Sequence, residues 1–254
     1  MARPGRTPVT GERVSSAANG FNPTWQRHVA AYALCAPFLP AGKVLDLGCG
    51  VGHSFELLGR ESVGLDLDRA VLDGQERETV AADMRALPFP AASFASVLSV
   101  QSLEHTPDPR RVLAEAHRVL KPEGVAVFVT PNRLTFGPPG EIVDPYHYVE
   151  FSARELRQVC GEVFKAVELR GVFGSRRYLE LVAAEKRALD RVLRHDPLRL
   201  RRLVPRRVRQ ALYDRALRAR RAGPDPHAAV IDLSDFELKD DPLDEALDLV
   251  AICR

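Results

Sequence analysis

Apolar positions along the chain fall into short runs, residues 43–47, 63–67, 79–82, 94–100 and 125–130, separated by helical or loop-like stretches. The run Val125-Ala126-Val127-Phe128-Val129 is apolar on both faces, the pattern of a parallel strand covered by helices on either side. Between the last two runs, Val112, Leu113, Ala116, Val119 and Leu120 recur at helical spacing. Thr106-Pro107 or Asp108-Pro109 starts that helix, and Lys121-Pro122-Glu123-Gly124 stops it. Trp25, Val29, Tyr32 and Cys35 predict an earlier helix, opened after Asn22-Pro23 and closed by Pro37 and Pro40. Strands that alternate with crossover helices imply an α/β, doubly wound parallel sheet with right-handed connections.

After Pro131 the rhythm changes. Residues 132–151 read as a long loop carrying Gly137-Pro138-Pro139-Gly140 and Tyr146-His147-Tyr148. A helix over 152–160 and a strand over 166–172 follow. Residues 176–222 read as helical and Arg-rich, broken at Pro197 and Pro205, and 247–253 reads as a final strand returning to the core. That return makes 176–226 a basic helical insertion or cap inside one domain spanning 21–254. Residues 1–20, rich in Pro, Gly, Ser, Thr and Arg without apolar periodicity, predict a flexible arm.

Composition narrows the partners. A formal net charge of +2 over 254 residues does not call for nucleic acid or an anionic membrane as obligatory partner. No apolar run approaches a membrane span and no signal peptide opens the chain, so a cytoplasmic protein is expected, with no membrane partner. Cys35, Cys49, Cys160 and Cys253 are scattered, without a CxxC pair or a histidine spacing suited to zinc. Reduced thiols and no metal site are expected. In the insertion Lys and Arg outnumber Asp and Glu about three to one, which would suit phosphate contacts. Yet Leu189, Val192, Leu193, Leu198, Leu200 and Leu203 recur between the basic residues, and no aromatic pattern interleaves them. An amphipathic cap with a solvated basic face, or a homodimer contact, is therefore preferred over a nucleic-acid-binding arm.

The sharpest chemical signal is Val44-Leu45-Asp46-Leu47-Gly48-Cys49-Gly50-Val51-Gly52. A strand runs into a turn with three alternating glycines, and a helix is expected from His53. Glycine is needed where backbone takes positive φ or passes close to a ligand. The spacing departs from the dinucleotide pattern GxGxxG, and a carboxylate at Asp46 would repel a pyrophosphate and suit a ligand carrying positive charge. Asp66 ends the second strand about 20 residues on, where an acidic side chain accepts ribose hydroxyls. Asp83 ends the third strand, placed to accept a hydrogen bond from an amino group, with Met84 offering an apolar edge. Any one of these aspartates is commonly a helix cap or a turn residue. Three at successive strand ends beside a glycine turn point to a site.

With Asp46-Leu47-Gly48-Cys49-Gly50-Val51-Gly52, Gly64-Leu65-Asp66, the stretch from Ala82 to Phe89, the stretch from Ser102 to Asp108 and that from Arg118 to Gly124, the chain resembles the class I S-adenosylmethionine (SAM)-dependent methyltransferases. Within them it is most similar to the small-molecule group acting on quinones, sugars and natural products. The resemblance implies a seven-stranded sheet of order 3-2-1-4-5-7-6 with the last strand antiparallel. It implies SAM as cofactor and S-adenosylhomocysteine as product. The 46–52 turn would hold the methionine end, Asp66 the ribose, and Asp83 with Met84 the adenine. Leu67, Ser99 and Trp25 complete the candidate cofactor-binding set, with Trp25, His28 and Tyr32 forming a lid or, alternatively, a plain core helix. Ser99-Val100-Gln101-Ser102 stands where enzymes acting on exocyclic base nitrogens carry Asn/Asp-Pro-Pro-Tyr, so that class is not expected.

The reaction expected is methyl transfer to an oxygen, or secondarily a nitrogen, of a small-molecule acceptor. The alternatives are an RNA methyltransferase using the basic insertion, and a non-catalytic SAM-binding scaffold. His147, between two tyrosines on the loop after the fifth strand, is the leading candidate for general base, with His105 its rival.

Overall fold

The central strands of the computed structural model are buried along their whole length, and their side chains alternate between two apolar layers, one on each face of the sheet. The described residues are 23–52, 54–59, 61–137, 141–193, 203–220 and 230–254. The expected N-terminal arm, His53, 138–140 and parts of the insertion lie outside them. Eight strands form one sheet: β1 (Val44–Leu47), β2 (Ser62–Asp66), β3 (Glu78–Ala81), β4 (Phe94–Val100), β5 (Leu120–Pro131), β6 (Val167–Gly174), β7 (Phe236–Lys239) and β8 (Asp248–Cys253). On one face Leu45, Leu47, Val63, Leu65, Val97 and Phe128 share a core with Val112, Leu113 and Ala116 of α3 (Pro109–Val119) and Leu156 and Val159 of α5 (Ala153–Gly161). On the other, Val44, Leu98, Val127, Val129 and Ile252 pack with Ala30, Ala31 and Cys35 of α1 (Pro23–Cys35) and Tyr178 of α6 (Arg176–Leu193). Period-2 alternation in strands apolar on both faces is what two helical layers require.

The sheet order is β3-β2-β1-β4-β5-β8-β6-β7. Strands β1 to β5 run parallel, and β8 is antiparallel to both β5 and β6. The expected order is therefore present, with β8 as the returning last strand. The correction is an eighth strand: β7 pairs antiparallel with β6 at the sheet edge. Its four residues, Phe236-Glu237-Leu238-Lys239, bury fully only Phe236, so the apolar pattern carries little signal there. The order in which strands are added reverses between β1, from which β2 and β3 extend one way, and β4, from which β5 extends the other. The crevice above their carboxyl ends is the place such sheets bind ligands.

The expected helical stretch 176–222 resolves into α6 and α7 (Arg206–Arg220), the latter starting directly after Pro205. Two shorter helices precede them, α2 (Arg69–Leu72), capped by the Asp68 side chain, and α4 (Arg133–Phe136), capped by Asn132. Helix α7 docks on the loop between α4 and α5: Tyr146 Oη donates to Asp214 Oδ2 at 2.7 Å, and Arg206 donates to the carbonyls of Pro145 and Tyr146. No helix among the described residues is long and apolar enough to cross a membrane.

Candidate active site

The turn after β1 is shaped by what its glycines lack. Gly48 has φ +76°, and a Cβ there would lie 2.4 Å from Ser102 Cβ, so any side chain would force β4's exit apart. Gly50 has φ +53°, and nothing lies within 4 Å of where its Cβ would stand. That space opens onto the crevice, so backbone alone forms the wall. Gly50 N–H donates to Asp66 Oδ2 at 2.9 Å, and Gln75 Nε2 donates to Gly50 O at 2.8 Å. These contacts hold the turn from both sides.

Asp46 works from behind this wall. Its side chain is 1% exposed, accepts from Tyr32 Oη at 2.8 Å and pairs with Arg77 Nη2 at 2.7 Å. Burial raises its pKa above the ordinary carboxylate value despite the Arg77 pairing. Arg77 also donates to Gln75 and Ser62 and lies 4.6 Å from the Phe55 ring centroid. A carboxylate facing the ligand's positive charge is thus not what the geometry shows, because Arg77 takes that charge-pairing role. The sequence carries no periodic signal for Gln75 or Arg77, which reach the turn only through the β2–β3 connection.

A cavity of about 790 Å³ opens above the strand ends. Gly48, Cys49, Gly50, Asp66, Leu67, Asp83 and Met84 line one side, as the motifs lead one to expect, and His28 and Tyr32 of α1 line another. Asp46, Gly52, Ser99, Trp25 and His147 do not line it. Gly52 has Gln75 packed where its Cβ would stand, and Ser99 is fully buried, its hydroxyl bonded to that of Ser102. Asp66 Oδ1 also accepts the Asp68 N–H. Asp83 is forked by Arg85, Nε to Oδ1 at 3.0 Å and Nη2 to Oδ2 at 2.6 Å, and this hydrogen bonding holds its pKa below the ordinary value.

At the far end the cavity is bounded by Gln101, His105, Thr106 and Tyr148. Gln101 sits at φ +53° directly after β4 and donates to the buried Asp248 at 2.7 Å. The non-glycine residue in this strained region lies where the strand hands over to the site. Asp248 also pairs with Arg27 of α1 at 3.2 Å, tying that helix to β8. The half-exposed Tyr148 ring is stacked 3.4 Å from the Arg206 guanidinium, so α7 borders the same end. Only the tertiary contact makes Tyr148 and Arg206 part of the site.

Of the two histidines, only His147 differs in placement from expectation. His105 reaches the cavity, and His147 stands behind it with its ring centroid 5.0 Å away. The His147 side chain is 5% exposed, and its Nδ1 lies 2.8 Å from Glu150 Oε1. Burial opposes charge on His147, but the Glu150 hydrogen bond and the carboxylates of Asp144 and Glu104 outweigh it and raise the pKa. Burial, then the neighbouring His147, push His105 down to about 3. A general base at His147 does not fit this placement: the ring stands behind His105 without lining the cavity, and the surrounding carboxylates favour its protonated form. Glu104, fully buried, is pushed up to about 7 by burial, opposed by His147.

The pocket's features suit a nucleoside carrying an amino-acid tail: a backbone-only wall at Gly50, a carboxylate at Asp66 and an apolar edge at Met84. Residues 45–128 match the family model described as a methyltransferase domain. The chain is 32% identical over 264 residues to a "Probable S-adenosylmethionine-dependent methyltransferase" of Mycolicibacterium smegmatis, covering 99% of this chain and 96% of that protein. A protein of the same description from Mycobacterium tuberculosis is 31% identical over 99% of this chain and 90% of its own length. Among solved structures, a SAM-dependent methyltransferase from Thermotoga maritima superposes with a TM-score of 0.58 at 15% identity, covering 90% of each chain, which shows the shared fold. Likeness to the two mycobacterial proteins extends over nearly the whole chain, beyond the nucleotide-binding half, and on that ground the chain belongs to the class I SAM-dependent methyltransferases and uses SAM as its cofactor.

Proposed function

We propose that this enzyme methylates an oxygen of a small-molecule acceptor that enters at the His105–Tyr148 end of the cavity, with a nitrogen acceptor as the second case. The observation that carries this reading is the continuity of the cavity from the glycine turn to His105. In it, the Gly48–Gly50 backbone and Asp66 hold the amino-acid tail and ribose of SAM, and Leu67, Asp83 and Met84 border the adenine. Bound SAM supplies a sulfonium methyl already activated for in-line displacement. The chain's own work is then to orient, which can provide ~7–11 kcal/mol of barrier lowering. His105, held neutral, offers a ring lone pair to the acceptor, while Tyr148 and Arg206 border its entry. His147, braced by Glu150, positions His105 by ring contact. The buried cysteines suit a reducing cytoplasm.

Transfer of label from methyl-labelled SAM to a panel of hydroxylated and amino small molecules tests this. One or more hydroxylated acceptors should turn over, and His105→Ala should lower kcat by on the order of 100-fold while SAM affinity stays within about twofold. SAM binding with no transfer to any acceptor would favour the scaffold alternative, and transfer confined to RNA would replace the small-molecule reading.

A further inference from the structure

We propose that Glu104, His105 and His147 form a binding site for a divalent transition-metal ion at the acceptor end of the cavity. One potential ligand atom from each lies within 4.8 Å of the other two. Ligands bound at ~2.0–2.2 Å stand at most about 4 Å apart, so a small inward rotation of side chains completes the set. Each ring already has a partner on its Nδ1 side. His147 Nδ1 is hydrogen-bonded to Glu150 Oε1 at 2.8 Å, and His105 Nδ1 faces the Tyr146 carbonyl at 3.4 Å. With each Nδ1 donating, the neutral ring carries its lone pair on Nε2, the atom that would meet the ion, and the ion displaces any proton there. Histidine bonded to carboxylate or carbonyl through its second nitrogen is the usual arrangement around a bound metal.

The carboxylate supplies an independent observation. Glu104 is fully buried; its Oε2 accepts from Thr130 Oγ1, while Oε1 has no hydrogen-bond partner among the described residues. A buried oxygen without a partner is costly unless something electropositive meets it. The backbone places it deliberately: the Glu104 carbonyl accepts the N–H of Tyr148 at 2.8 Å, pinning the loop that carries His147 against the turn that carries Glu104 and His105. Two imidazoles and one carboxylate suit Zn²⁺, Mn²⁺, Fe²⁺ or Co²⁺ better than the all-oxygen shells of Mg²⁺ or Ca²⁺. Three protein ligands leave a coordination position open, and because His105 lines the cavity that position faces the acceptor. There an acceptor hydroxyl bound to the ion would release its proton to water more readily. This last role rests on the methyl-transfer reading above, with the His105 lone pair given to the ion and the ion in turn meeting the acceptor; the binding of the ion does not rest on it.

The test is cobalt binding by the untagged, chelator-treated full chain, read by visible absorption and calorimetry, with SAM binding measured alongside. One Co²⁺ per chain at micromolar affinity or tighter is expected, weakened on the order of 100-fold by Glu104→Gln or His147→Ala, and roughly 10- to 100-fold by Glu150→Gln. Should those variants fail to fold, X-ray absorption on the zinc-loaded wild type decides. A nitrogen and oxygen shell with two imidazoles supports the site, and sulfur ligation or fewer imidazoles overturns it. Absence of stoichiometric Co²⁺ or Zn²⁺ binding by the wild type, or binding unchanged in folded variants, also overturns it. A wild-type chain that binds SAM but no metal would sink this proposal alone, whereas failure of the wild type to bind SAM would sink the reading of the cavity.

Discussion

Asp66 joins two parts of the site through one carboxylate. Oδ2 fixes the Gly50 N–H and Oδ1 the Asp68 N–H, yet each oxygen keeps a further lone pair for a ribose hydroxyl. Asp66→Ala therefore removes a charged acceptor and loosens the glycine turn together. It should weaken SAM by on the order of 2–3 kcal/mol in titration calorimetry. An unchanged affinity in a variant with wild-type circular dichroism would take Asp66 out of the site. The same titration with NAD should show no comparable binding, because the turn departs from the spacing that receives a pyrophosphate. Equal or tighter NAD binding would refute that reading of the glycines.

Between elements, a clamp at Asp235 fixes the start of α6. Its carboxylate accepts from Arg177 Nη2 at 2.6 Å, from Ser175 Oγ and from the Asp232 N–H, joining the helix to the turn that leads into β7. The Arg177 hydrogen bonds, opposed by burial and helped by Ser175 and Asp232, hold the Asp235 pKa down to about 2 from an ordinary 3.8. A depressed carboxylate pKa stabilises the fold fully above the unfolded value, and that contribution is lost as pH falls from about 4 through about 2. With half-exposed Arg177 screened by solvent, Asp235→Asn should cost on the order of 1–2 kcal/mol at pH 7. The difference from wild type should close toward pH 2. Urea titrations at pH 7 and across the acid range measure it; a cost that persists undiminished at pH 2 would mean the side chain's shape, not its charge, holds α6.

Across the whole molecule, the basic insertion meets the site through α7. Arg206 bonds two carbonyls of the loop that carries His147 and stacks on Tyr148 at the cavity edge. Helix α6, by contrast, places Tyr178 wholly inside the core, so its removal would disturb folding. The informative change is therefore Arg206→Ala. If the insertion caps the acceptor end, that variant should raise the acceptor KM several-fold and leave SAM affinity unchanged. Fluorescence anisotropy with single-stranded RNA at physiological salt should show no binding above background. RNA binding that vanishes when α7 arginines are neutralised, with the small-molecule KM unaltered, would turn the insertion into a nucleic-acid arm.

Sequence alone determined what depends on neighbours along the chain. Strand runs, the α3 stripe between Asp108-Pro109 and Gly124, and the glycines at 48 and 50 follow from periodicity and backbone sterics, which act over a few residues. The tertiary structure decided which way polar side chains face. Asp46 turns inward because Arg77, brought over by the β2–β3 connection, gives it a buried partner. His147 stands behind His105, not beside it at the cavity wall, because the loop after β5 folds back onto the Glu104 carbonyl and buries His147 against Glu150. The edge strand β7 is too short to show in the pattern and exists because β6 offers it an open row of backbone groups. Side-chain orientation at a site is fixed by charge pairing and burial among residues distant in the chain, and those become neighbours only when the sheet closes.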